Sequence, residues 1–286
     1  MTQTEFNESR LVAQGVSVGY GDAVIIEDLS LEIVDQGFTA LVGPNGSGKS
    51  TLLKAFARIL KPKTGAILID GESIDRQASK EVAKRLAFLP QGPVVPEGIT
   101  VEQLVSYGRS PYKSGFGTTT AEDLRITDRA LAITSLNDMR ERQVTALSGG
   151  QRQRAWVAMT LAQDTGILLL DEPTTFLDIA HQFDLMDLLA DLHENGRTIV
   201  IVLHDINQAC RYANNVVVLR DGQIYEKGDP ATVVTVEMLN DVFEIECRVL
   251  PDPETGTPMC VPLSNRRQFK DRPTTCLLYT SPSPRD

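Results

Sequence analysis

The stretch Gly43-Pro44-Asn45-Gly46-Ser47-Gly48-Lys49-Ser50 fits the pattern G-x-x-x-x-G-K-[ST]. Glycines at this spacing let backbone N–H groups turn inward around phosphate oxygens with no Cβ in the way. Lys49 is then placed to reach the β- and γ-phosphates of a nucleotide and Ser50 to ligate Mg2+, while the start of the following helix adds its positive end. Thr51 continues the same nucleotide-binding run. The apolar segment Phe38 to Val42 before the loop, and a helix beginning near Ser50, give the strand-loop-helix context that the pattern requires.

A second constellation ends an apolar strand. Ile167-Leu168-Leu169-Leu170-Asp171-Glu172 puts two carboxylates at a sheet edge. Asp171 suits the shell of Mg2+, through water. Glu172 suits the polarisation of an attacking water, a general-base role worth about 10²- to 10⁴-fold in rate. By itself an acidic pair after a strand reads as a solvated strand end; a phosphate loop in the same chain turns it into a candidate site.

Leu147-Ser148-Gly149-Gly150-Gln151 is characteristic of ABC ATPases, and with it the chain resembles that family. The resemblance implies that two copies pack head to tail around ATP. Ser148, the Gly149 and Gly150 amides and Gln151 would then meet the γ-phosphate held by the opposite copy, as anion capture at a helix start. By the same resemblance Gln91 matches the glutamine that senses Mg2+ and the attacking water, and His204 matches the switch histidine of the γ-phosphate. Tyr20, in Gly19-Tyr20-Gly21, matches the aromatic that stacks on adenine, and Asp178 keeps the acidic position of the loop after Glu172. That loop departs from the common S-A-L-D pattern in carrying Phe176 where alanine is usual. His181 and His193 fall on a predicted helix and are read as structural.

The elements that must position these groups follow from apolar patterning. Strands are expected at Leu11 to Val18, Val24 to Ile33, Phe38 to Val42, Ala66 to Ile69, Leu86 to Leu89, Ile167 to Leu170, Thr198 to Leu203 and Val216 to Leu219. Strands alternating with helices imply a largely parallel sheet. Residues 101–146 show no convincing strand and carry a helical stretch from Ala121 to Leu136. The expected fold is therefore α/β: an ABC ATPase cassette over residues 10–263 with a RecA-like core and an N-terminal antiparallel β subdomain. A helical subdomain is inserted at about residues 92–162.

Composition narrows the partners. A formal charge of -10 over 286 residues argues against a nucleic-acid surface, and no apolar run approaches the roughly 20 residues that cross a bilayer. A membrane role then needs a spanning partner. Cys210, Cys247, Cys260 and Cys276 lack metal or redox spacing and are read as isolated reduced thiols. Residues 276–286, CLLYTSPSPRD, resemble the translation of a transposase-library sequencing adapter. They are expected to be foreign to a native chain that diverges after Leu263, and residues 264–286 are expected to be disordered.

Three stretches resemble the ATPases of ferric-siderophore importers, a group that includes ferric-citrate and ferric-enterobactin systems and is related to cobalamin ones. They are residues 100–112 (TVEQLVSYGRSPY), 172–182 (EPTTFLDIAHQ) and 251–260 (PDPETGTPMC), the last taken as the terminal strand pair. In such systems the first stretch faces the permease. The implied assembly is two copies of this chain, a pair of transmembrane permease subunits at the cytoplasmic face of the bacterial inner membrane, and a periplasmic or lipid-anchored binding protein. Import of haem or cobalamin, or export, stays open on these motifs. A soluble ABC protein of translation, DNA repair or iron-sulfur assembly is disfavoured, because there is neither a second phosphate loop nor a coiled-coil insertion.

Overall fold

The strands form two main sheets that share one layer of core, and a third, two-stranded sheet near the end of the described chain. In the computed structural model, residues 9–95, 97–113 and 118–263 are described. The strands β1 (Ser9–Tyr20) and β2 (Ala23–Val34) form a long hairpin, and β3 (Phe38–Val42) runs into α1 (Lys49–Phe56). Next come β4 (Thr64–Ile69), β5 (Glu72–Ser73), α2 (Ser79–Arg85) and β6 (Leu86–Leu89). Three helices follow, α3 (Val101–Tyr107), α4 (Ala121–Ile133) and α5 (Gly149–Ala162), and pack on one another. The chain then alternates through β7 (Ile167–Asp171), α6 (Ile179–Glu194), β8 (Thr198–Val202), α7 (Ile206–Tyr212) and β9 (Asn215–Arg220). It closes with β10 (Gln223–Gly228), α8 (Pro230–Val233), α9 (Val236–Phe243) and a hairpin of β11 (Cys247–Pro251) and β12 (Pro258–Pro262).

The first sheet is antiparallel in the order β2-β1-β4-β5. The second runs β10-β9-β3-β8-β7-β6, parallel throughout except for the edge strand β10. Both faces of the parallel sheet are covered, which is why its strands read as unbroken apolar runs. Leu41, Leu169, Val200 and Val217 point to the side of α1 and the antiparallel sheet. Ala40, Leu170, Ile201 and Val218 point to the other side, with the core residues of α3, α5 and α6. The apolar face of α1 (Leu52, Leu53, Phe56) is thereby sandwiched between two sheets, each buried leucine or phenylalanine contributing about 1.5–3 kcal/mol.

Three sequence expectations need correction. The helix from Ala121 stops at Ile133 and not Leu136. The Thr134 hydroxyl donates back to the Ala130 carbonyl at 2.9 Å, and Ser135 turns the chain at φ 55. The terminal strand pair expected over residues 251–260 is present but wider: those residues form the turn and inner ends of the β11-β12 hairpin, whose arms extend outward to Cys247 and Pro262. The thiols of Cys210, Cys247 and Cys260 are free and buried, but they are not all isolated as expected: Cys247 and Cys260 adjoin each other across that hairpin. Burial pushes Cys210 up to about 12 and Cys260 up to about 11, so both stay protonated. The expectations for Cys276 and for residues 264–286 lie outside the described residues. Among the described residues no helix is long and apolar enough to cross a membrane.

Candidate functional site

Four adjacent parallel strands deliver the chemistry to one edge. In the order β3-β8-β7-β6, their C-terminal ends lead into the loop 43–50, His204, the Asp171-Glu172 pair and Gln91. The register sets Leu41 opposite Val202 and Val202 opposite Asp171, so these ends are level. A crevice outside the C-terminal ends of parallel strands is where such sheets bind ligands. Here it is a cleft of about 480 Å³ lined by Tyr20, Ile25, Asn45, Gly46, Gly48, Lys49, Ser50, Thr51, Gln91, Glu172 and His204.

The loop is built around two glycines that no other residue could replace. Gly43 sits at φ 148, and a Cβ there would lie 2.1 Å from the Leu219 carbonyl oxygen. Gly48 takes φ 99 as the N-cap of α1, a region that L side chains avoid. Pro44 and the buried Ser47 complete the turn, with the Ser47 carbonyl accepting from the Gly222 amide at 3.2 Å. Lys49 is only 5% exposed, and its ammonium donates to the Gly43 and Pro44 carbonyls, both at 2.8 Å. Burial lowers the pKa of Lys49, while the charges of Glu172 and Asp171 pull it back up.

Strand parity explains the separate fates of the two carboxylates. Continuing the alternation of β7 puts Asp171 on the α1 side, where Ser50 Oγ donates to its Oδ1 at 2.7 Å. Its Oδ2 is buried without a hydrogen-bond partner among the described residues. Burial raises the Asp171 pKa, and the Ser50 bond together with the charges of Lys54 and Lys49 works against that rise. An orphaned carboxylate oxygen beside a serine hydroxyl is the hard-oxygen set that Mg2+ takes when phosphates and water complete its shell. No cluster of three or more His, Cys, Asp or Glu able to hold a metal occurs among the described residues.

Glu172 leaves the strand in the left-handed region, at φ 51, which swings its side chain into the cleft. There Gln91 Nε2 donates to Oε2 at 2.6 Å and His204 Nε2 lies 2.6 Å from Oε1. The Thr175 hydroxyl stands 3.4 Å from the same Oε2. This carboxylate is thus held at the cleft wall by groups from two other strand ends.

Five of the expected site residues lie away from the cleft. Ser148 caps α5 and Gln151 closes the capping box, the hydroxyl accepting from the Gln151 amide and the Gln151 side chain accepting from the Ser148 amide. Gly149 and Gly150 open that helix, where a Cβ would meet only ordinary contacts at 3.8 and 3.4 Å. Asp178 caps α6, accepting from the His181 amide at 3.0 Å, and its carboxylate also holds His181 Nδ1 at 2.7 Å. The structural reading of His193 agrees with its ring lying edge-on to Phe38. Two neighbours escaped sequence reasoning. Ile25 lines the cleft from β2, and Lys54 places its ammonium 5.9 Å from the centre of the Tyr20 ring and 3.4 Å from its hydroxyl. Lys54 could have been found, since it stands four residues after Ser50 on one helix face.

Comparison with known proteins agrees with this architecture. Residues 26–175 match the ABC transporter family. The petrobactin import ATP-binding protein FpuD of Bacillus anthracis is 50% identical over 92% of this chain and 97% of its own length. The ferric enterobactin transport ATP-binding protein FepC of Escherichia coli (strain K12) is 47% identical over 89% and 94%. Among solved structures, a dimeric bacterial ABC transporter cassette superposes with a TM-score of 0.69 at 28% identity, covering 77% of this chain and 98% of that one. With its fold, its phosphate loop and relatives of this similarity in view, the chain belongs to the ABC transporter family as an ATP-binding subunit that hydrolyses ATP.

Proposed function

We propose that this chain drives import of a ferric chelate of the siderophore or ferric-citrate class. It would work as a pair of copies attached to transmembrane permeases at the cytoplasmic face of a bacterial inner membrane. Relatives at 47–50% identity named for petrobactin and ferric enterobactin support the substrate class. The chelate itself would be read by the permeases and a binding protein, because the cleft in this chain is lined by the phosphate loop.

One observation carries the catalytic reading: Glu172 bridged between Gln91 and His204 at 2.6 Å on each oxygen, in the same cleft as Lys49. Lys49 and the loop amides of residues 43–51 would hold the β- and γ-phosphates, with Tyr20 stacked on adenine. Ser50 and Asp171 would hold Mg2+, with Gln91 reaching it from the sheet edge; that ion supplies neutralisation of phosphate charge. With the γ-phosphate bound, His204 and Gln91 have an anion and its shell to engage instead of Glu172. Each such exchange frees a carboxylate oxygen to accept the proton of a water aimed at phosphorus.

The glycines of the signature support a second copy as the missing wall. At 149 and 150 the chain's own packing leaves room for a side chain, and glycine weakens a helix by about 0.5–1 kcal/mol relative to alanine. A reason to exclude a Cβ must then come from outside the chain, and the opposite copy's γ-phosphate at this helix start supplies one. Asp178 would border the same interface.

Two measurements test the reading. Lys49→Ala should weaken binding of a fluorescent ATP analogue by tenfold or more, about 1.4 kcal/mol. Proteoliposomes holding the chain with its permeases and binding protein should accumulate a ferric siderophore only with ATP. Uptake of cobalamin in its place would refute the substrate class and leave the ATPase reading intact.

A further inference from the structure

The loop after Glu172 contains two non-glycine residues in the left-handed region, Glu172 at φ 51 and Phe176 at φ 69. Each costs about 1–2 kcal/mol and persists only where surrounding contacts hold it. Phe176 supplies none of this through burial, being 75% exposed. Two backbone turns hold the loop locally, the Thr175 amide donating to the Glu172 carbonyl at 3.3 Å and the Leu177 amide to the Thr174 carbonyl at 3.2 Å, and two glutamine amides anchor its two ends to neighbouring helices.

Gln153, on the second turn of α5 and 7% exposed, donates from Nε2 to the Pro173 carbonyl at 2.9 Å. Gln182, on the first turn of α6, donates from Nε2 to the Leu177 carbonyl at 3.0 Å. The Oε1 of Gln182 accepts in turn from Nε2 of Gln208 on α7, also at 3.0 Å. The helix α7 begins directly after His204 and is capped by Asp205, whose carboxylate accepts from the Asn207 amide at 2.8 Å. Residues 173–177 are therefore tied at one end to the helix that starts at Ser148, and at the other to the helix that follows His204. Neither Gln153 nor Gln182 lines the cleft. A side-chain amide placed on one backbone carbonyl adds about 1 kcal/mol of net stability, less than an aliphatic side chain contributes by burial. Its distinctive contribution is direction.

We propose that Gln153 and Gln182 are positioning residues for ATP hydrolysis, fixing the loop so that the Glu172 carboxylate stays aimed into the cleft when Gln91 and His204 turn from it to the nucleotide. This rests on the reading of Glu172 as general base. Because Gln153 belongs to α5, movement of the signature helix would reach Glu172 of the same copy through the Pro173 carbonyl.

The test uses Gln153→Glu and Gln182→Glu in the full chain, which keep side-chain shape and set an acceptor where the donor stood. The expected result is a fall in kcat of about tenfold to a hundredfold, the scale of a small misplacement of a reacting group. Affinity for trinitrophenyl-ATP and KM should change less than about twofold. In a Glu172→Gln background the same substitutions should leave residual turnover unchanged, since their effect runs through Glu172. Gln153→Met and Gln182→Met, of similar length without a donor, provide the readout if a glutamate variant does not fold. Wild-type kcat in the glutamine variants overturns the inference alone. So does loss of nucleotide binding in step with kcat, or a further loss of residual turnover in the Glu172→Gln background. Wild-type turnover in Glu172→Gln itself would remove the general-base reading, and this inference with it.

Discussion

At the scale of single residues, the cleft holds its groups under opposing demands. Asp171 is buried with one oxygen unsatisfied, and burial raises its pKa. The folded protein then binds that proton more tightly than the unfolded chain, so stability falls as pH rises through the interval above about pH 4. Asp171→Asn removes the cost. The nucleotide-free variant should melt above wild type at neutral pH, with the gap closing toward pH 4 in a melting series, while the Mg2+ dependence of turnover is lost. Gly149 presents a similar conflict between stability and function. Gly149→Ala should stabilise the isolated chain by about 0.5–1 kcal/mol in urea unfolding and lower ATP turnover. A gain in stability with full turnover would mean that nothing approaches that helix start.

At the scale of elements, one ion pair fastens the three packed helices. Arg109, just past α3, donates from Nε to Asp123 in the first turn of α4 at 2.9 Å and from a terminal nitrogen to the Ala162 carbonyl at the end of α5 at 3.0 Å. Both partners are buried, and the guanidinium stacks on the Tyr112 ring at 3.9 Å. Burial pushes the Asp123 carboxyl up, but the Thr120 amide and the Arg109 guanidinium outweigh it and hold the pKa at about 2. That lowered value adds stability above about pH 4, lost as pH falls through about 2. Arg109→Met leaves a buried carboxylate unpaired and should cost about 3 kcal/mol in urea unfolding, the difference from wild type shrinking below pH 4. Arg109 lies in the segment expected to face a permease, yet it is buried; Tyr107 and Tyr112 are the exposed aromatics there. Much of this organisation was legible beforehand. The runs Phe38 to Val42, Ile167 to Leu170 and Ile199 to Leu203 are almost wholly apolar because both faces of their sheet are covered, and each leads directly into polar or glycine-rich sequence: the loop 43–50, the Asp171-Glu172 pair and His204. Strand order was not legible, because β3 pairs with β8 and β9 across more than 150 residues and period-2 patterning carries no record of a neighbour. Nor was the left-handed turn at Glu172, which glutamate adopts only under tertiary constraint.

At the scale of the whole molecule, the antiparallel sheet and the C-terminal edge of the parallel sheet border a cleft walled by this chain on the side of Tyr20, Lys49 and Glu172. The signature residues Ser148 to Gln151 lie elsewhere on the surface. If two copies close on ATP as proposed, each brings a formal charge of -10 to the encounter. Screening shortens that repulsion from about 30 Å at 0.01 M salt to about 10 Å at 0.1 M. ATP-dependent dimerisation, followed by light scattering, should therefore strengthen over that range. The role of Glu172 in activating the water that attacks ATP is decided by the turnover of Glu172→Gln, measured beside its binding of an ATP analogue. A general base at Glu172 entails binding within about twofold of wild type, turnover reduced by about 10²- to 10⁴-fold, and accumulation of ATP-bound dimer. Turnover at the wild-type rate would contradict it.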